Sequence, residues 1–135
     1  MNKRIIFFSL ITLCLFSHSC MPPADYCDTL VFEIGKCRVS IHKALENNTN
    51  DSCSEVEKQL LASEKKIRNL GHFRDEHELY DIALKLIGFY KQTLENIKEG
   101  GCLPEFKSSE QDLLSDLELA RQKFIKKFDL IQSQL

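Results

Sequence analysis

The chain has 135 residues, 20 acidic and 18 basic, giving a formal net charge of −2, with six cysteines and no tryptophan. That length is enough for one domain and not for two. A mildly acidic balance without a basic stripe argues against nucleic acid as a partner.

Residues 1–19 read as a cleaved secretory signal. Lys3 and Arg4 form a short positive region, Ile5 to Phe16 is an apolar run broken only by Ser9 and Thr12, and Ser17-His18-Ser19 leads into Cys20. The apolar run reaches roughly 18 Å as a helix, short of a bilayer core of about 30 Å, so a retained span is disfavoured. Small residues at Ser17 and Ser19 suit an ordinary signal peptidase cutting before Cys20. Removing this leader takes Lys3 and Arg4 away and leaves a chain of net charge −4.

The end of the leader also resembles a bacterial lipoprotein signal, in which a cysteine is lipidated and becomes the mature N-terminus. Ser17 stands where such signals usually carry leucine, and this looser pattern is similar to Bacteroidetes-type or spirochaete envelope lipoproteins. The resemblance implies lipidation at Cys20 and a tether over residues 20–24. Cysteine parity agrees: Cys14 leaves with the signal, and lipidation of Cys20 leaves Cys27, Cys37, Cys53 and Cys102 as a pairable four. A secreted protein with a free Cys20 is the alternative.

Residues 25–135 form the predicted domain. Asp25 is expected to cap the first helix, on which Cys27, Leu30, Ile34, Cys37, Ile41 and Ala44 recur at three and four residue steps. Gly35 weakens this helix without ending it, and the polar cluster Asn47 to Asp51 stops it. Ser52 with Glu55 has capping-box spacing for a second helix, where Val56, Leu60, Ile67 and Leu70 make a narrow stripe. Glu55, Glu57, Lys58, Glu64, Lys65, Lys66 and Arg68 are expected to face water, and Gly71 ends the helix.

Asp75 and Glu78 repeat the capping spacing ahead of a third helix whose apolar residues cover more than half its circumference. This helix is expected at the centre of the packing. Gly100-Gly101 supplies a left-handed C-terminal cap. After Cys102-Leu103-Pro104, Ser108 or Ser109 is expected to open a last helix with Leu113, Leu117, Ala120, Phe124 and Ile131 on one face. Leu114, Leu119, Ile125 and Phe128 lie on or beside a second. Short links make antiparallel neighbours, so the fold class is all-α, an antiparallel up-and-down four-helix bundle; a three-helix bundle with one long bent helix is the alternative.

That bundle puts Cys53 and Cys102 at one end, the preferred disulfide. Cys27 and Cys37 are a poor second, standing about 15 Å apart along one helix where a disulfide needs about 7 Å or less.

Chemistry-bearing residues are sparse. His77 and Asp81 share a helical face with His72 just upstream, a spacing that suits a divalent metal. Acidic residues also belong in a first helical turn, where they meet the positive end of its dipole, and that reading is preferred. Cys37 and His42 lie on different faces and make no nucleophilic pair. Tyr80 and Tyr90 are candidates to line an interhelical ligand pocket, with core packing as the default. Lys65-Lys66-x-Arg68 is a small basic patch. The segments Asn47-Asn48-Thr49 and Asn50-Asp51-Ser52 match a glycosylation pattern that matters only in a eukaryotic protein. No cofactor is expected.

Beyond the leader, residues 71–100 are similar in apolar pattern, with Phe89-Tyr90, to the central segment of small helical surface lipoproteins of unknown function. The resemblance implies a membrane-tethered bundle and carries over no site residues. A non-enzymatic lipoprotein of the bacterial cell envelope, the outer membrane favoured, that binds another macromolecule or supports an envelope assembly is therefore expected first. A helical small-ligand binder or sensor, and a secreted unlipidated effector, are the alternatives. Catalysis needs convergent titratable groups, which the sequence does not display.

Overall fold

The computed structural model describes residues 21–47, 49–101 and 103–128. The leader, Cys20, Asn48, Cys102 and Ile131 lie outside the described residues. Four helices follow one another: α1 (Pro23–Asn47), α2 (Asn50–Leu70), α3 (Glu78–Lys98) and α4 (Phe106–Lys127). The seven residues between α2 and α3 separate them into two helices, so the bundle has four.

The helix ends show how local chemistry set the boundaries. α1 begins at Pro23, two residues before the expected Asp25. Proline lacks the amide hydrogen that a first helical turn leaves unused, and its fixed φ suits that position. Asp25 therefore sits inside the first turn, where its charge meets the helix dipole. Gly35 leaves the helix uninterrupted. Cys27 and Cys37 remain on one continuous helix and do not pair.

The capping box of α2 is Thr49 with Ser52, not Ser52 with Glu55. Ser52 N donates to Thr49 Oγ1 at 3.2 Å and Thr49 N to Ser52 Oγ at 3.1 Å. Extended Thr49 captured the free amides first, starting the helix at Asn50, two residues ahead of the predicted Ser52. Asp75 and Glu78 form no box either. Glu76 Oε1 accepts from Glu78 N at 3.1 Å, while Asp75 reaches Lys127 at 3.1 Å. The tight turn at Phe73–Glu76, with Arg74 at φ 56°, points Glu76 rather than Asp75 at the helix start.

The end of α3 is as expected. Gly100 adopts φ 70°, its amide donates to Ile97 O at 3.0 Å and Gly101 N to Asn96 O at 2.8 Å. These two hydrogen bonds are those of a Schellman cap, and a side chain at Gly101 would press within 3.1 Å of Asn96 O. α4 starts at Phe106, two or three residues before the expected serines. Phe106 is buried and stacks on Phe89 with ring centroids 5.5 Å apart, so packing extends the helix backwards over the serines.

α3 touches all three other helices, as its broad apolar surface predicts. α1 lies in extensive contact with α2 and α3, meets α4 only sparsely, and α2 does not meet α4 among the described residues. The cross-section is thus a rhombus with α1 and α3 across its short diagonal. The core holds Leu30, Ile34, Ile41, Leu60, Ile67, Leu79, Leu86, Ile87, Leu94 and Phe124, each contributing about 1.5–3 kcal/mol by burial. An aromatic group of Tyr26, Phe73, Phe124 and Phe128 closes the end where α1 begins and α4 finishes. On α4, Leu117, Ala120 and Phe124 are buried as expected, whereas Leu119 is exposed. No helix of the described residues is long and apolar enough to cross a membrane.

Candidate functional site

Two glutamates stand in the apolar stripes. Glu110 lies four residues after Phe106, on the inward face of α4, and is 4 % exposed. Tyr90 of α3 donates its hydroxyl to Glu110 Oε1 at 3.0 Å. From α1, His42 Nε2 stands 2.9 Å from both carboxylate oxygens and Arg38 Nε 3.4 Å from Oε1. Against an ionised carboxylate, which only accepts, Nε2 is the protonated ring nitrogen. His42 is held edge-on to Phe106 at 5.5 Å. Burial, then the adjacent Glu110 charge and the bond to it, push the Tyr90 hydroxyl well above its ordinary range, so it stays a donor. Arg38, Val39, His42, Lys43 and Glu46 line an open groove of about 470 Å³ beside this cluster.

Glu33, 1 % exposed, occupies the stripe of α1 that faces α2. Lys36 Nζ and Lys66 Nζ each approach it at 2.7 Å and Ser63 Oγ donates at 2.8 Å. Burial pushes this carboxyl upward, but the bonds from Lys36, Lys66 and Ser63 together outweigh it and hold it below the ordinary carboxylate value. Lys66 thus does not simply face water. Glu64 is also partly buried, and bonds from Lys91 at 2.9 Å and Arg68 at 2.8 Å lower its carboxyl despite some burial. The expected basic patch is therefore largely spent on carboxylates of this chain.

The structure does bring His72, His77 and Asp81 together. His72 Nε2 lies 3.3 Å from Asp81 Oδ1, and its ring centroid lies 4.1 Å from that of His77 and 4.5 Å from that of Tyr80. His72 and Asp81 pair at an exposed corner, with the His77 ring against that of His72. Among the described residues no three His, Cys, Asp or Glu side chains are placed to hold a metal.

Tyr80 and Tyr90 are not brought together. Tyr80 is half-buried against His72, while Tyr90 is fully buried with its hydroxyl on Glu110. A groove of about 280 Å³ does run between α3 and the start of α4, past Phe89, Asn96, Pro104 and Phe106. Among the described residues Cys27, Cys37 and Cys53 are buried and unpaired with one another, and Cys102 lies outside the described residues, so the Cys53–Cys102 pairing is not tested. Burial raises the thiols of Cys27 and Cys37 and keeps them protonated, the unreactive form.

Glu33 and Glu110 are the residues that sequence reading missed. Their signal was present: each falls at a three or four residue step within an apolar stripe, where a carboxylate is out of place unless paired. Comparison with family models, curated proteins and solved structures found no match.

Proposed function

We propose that this protein is a non-enzymatic lipoprotein of the bacterial cell envelope, anchored through Cys20, whose helical surface binds another macromolecule. The observation that carries this reading is the sequence Ser17-His18-Ser19-Cys20 followed by a helix that starts at Pro23. Only Met21 and Pro22 separate the anchor from α1, a reach of roughly 7 Å. The bundle is then held close to the lipid headgroups, and the flanks of the helices remain available to partners. The non-enzymatic part of this reading is supported by the state of the buried charges. Glu33 and Glu110 accept from several groups each, an arrangement that fastens helices rather than one poised to move protons.

Intact and peptide mass spectrometry of the protein from the native membrane fraction tests the anchor. The expected result is a mature N-terminus at Cys20 carrying diacylglycerol, and a Cys20→Ala variant that leaves the membrane fraction. An unmodified Cys20 in the soluble secreted fraction would overturn it.

A further inference from the structure

Two large apolar side chains on α1 face solvent: Phe32 is 63 % exposed and Val39 70 % exposed. They stand seven residues apart, two turns along one stripe. Between them lies Gly35, also exposed. A glycine inside a helix costs about 1 kcal/mol relative to alanine. Nothing within the single chain calls for it, because its φ is not positive and a Cβ built there meets no atom within 4 Å. An open glycine between two exposed apolar residues is what the close approach of a second helix requires.

The charges on the same face say which helix. Asp28 lies one turn before Phe32 and Lys43 one turn after Val39, and neither makes an ion pair among the described residues. Laid antiparallel about a two-fold axis between Gly35 and Lys36, two α1 helices put Phe32 opposite Val39 and Asp28 opposite Lys43. Both pairs occur twice, as a two-fold contact demands. Parallel apposition would set Asp28 against Asp28 and Lys43 against Lys43. Lys36, nearest the axis, is drawn back to Glu33 at 2.7 Å and lies over the Phe32 ring at 5.2 Å. Open grooves flank the stripe at both ends, one lined by Phe32 and one by Val39, each able to receive the other copy's side chain. Glu46 would fall opposite Asp25 at the rim, where Lys66 and Arg121 line the same groove as Asp25. An anionic bilayer is a poorer occupant, since Asp25, Asp28 and Glu46 would face it.

We propose that two copies of this chain associate through the outer faces of α1, antiparallel, with Gly35 at the crossing. A single helix face buries less than the roughly 800 Å² per partner of a standard complex, so the dimer is weak and dissociable. It does not depend on the lipid anchor, and an unlipidated chain pairs in the same way.

Replacing Phe32 by a photo-crosslinking benzophenone analogue in cells that produce the full chain tests this directly. The expected product has twice the chain mass and joins position 32 to the peptide containing Val39. A lipid adduct, a crosslink to a different protein, or no adduct would each overturn the proposal. Sedimentation of the purified processed protein supplies a second reading. Gly35→Leu is expected to leave only monomer, while Gly35→Ala weakens the dimer yet raises the unfolding temperature. Lys43→Asp is expected to weaken the dimer about tenfold, and Asp28→Lys with Lys43→Asp to restore it. A Gly35→Leu protein that still dimerises, or a double swap without rescue, would sink the antiparallel arrangement.

Discussion

Glu33 and Glu110 are both buried carboxylates in otherwise apolar stripes, yet they do different work. Glu33 sits where α1 and α2 are already in extensive contact, and its partners are two lysine cations and one serine. Glu110 sits where α1 and α4 barely meet, and its partners come from both α1 and α3. One carboxylate is a fastening inside a tight seam; the other spans a loose one. A buried ion pair is weak evidence of net stabilisation, because desolvation offsets its attraction, but removing one member leaves the rest stranded. The difference between the two sites therefore lies in what is stranded and how far the damage spreads.

Glu33→Ala should have the largest effect, a loss of about 3 kcal/mol in urea unfolding, since it leaves a void and takes from the buried Ser63 hydroxyl its acceptor, with only the Gln59 bond remaining to it among the described residues. Lys36 and Lys66 are more than a third exposed and can turn to water, which limits the loss. Replacing the site as a whole, Glu33→Met with Ser63→Ala, should return most of that stability; a double variant as weak as the single one would mean the charges themselves are needed.

Glu110→Ala should cost about 2 kcal/mol, chiefly through the stranded Tyr90 hydroxyl. Its sharper signature is local: amide hydrogen exchange should quicken in α4 while α1 and α2 remain protected. Uniform loss of protection across all four helices would erase the contrast between the sites.

Tyr90→Phe should cost about 1 kcal/mol, the ordinary net value of one hydrogen bond. Because the folded-state Tyr90 is raised above its ordinary value of 10.0, its neutral form is favoured by folding. That contribution is complete below pH 10.0 and is lost as the pH rises above it. The Phe variant should show a shallower alkaline decline.

Glu33 has the opposite sign. Its folded value is held below the ordinary 4.5, so its contribution is present above pH 4.5 and is lost as the pH falls through the folded value. Comparing urea midpoints at about pH 6 and about pH 3, Glu33→Gln should show a smaller acid loss than the unaltered chain. Equal slopes would deny the carboxylate its charged, lysine-held state.

Much of the frame was legible in the residues. The three and four residue recurrence of Leu30, Ile34, Cys37 and Ile41 reported a buried face, and Gly100-Gly101 reported a stop, because both depend on chemistry within a few residues. The helix starts were less legible. Thr49 took the place predicted for Ser52, and Phe106 preceded the expected serines, since neighbouring polar residues compete for the same amides and packing decides among them. The site was hardest to read. A glutamate in an apolar stripe is an anomaly until its partners are known, and those partners are distant in sequence: Ser63 is 30 residues from Glu33, and His42 is 68 from Glu110.

By itself the sequence determined an all-α chain, the order of its apolar-periodic segments and the prominence of α3, because periodicity is a local property of the chain. Only the tertiary structure decided that α1 and α3 cross the short diagonal, that Glu33 and Glu110 lie inside, and that Phe32, Gly35 and Val39 lie outside. The reason is physical: a side chain is buried or exposed according to what other helices bring to it, and no window of local sequence contains them.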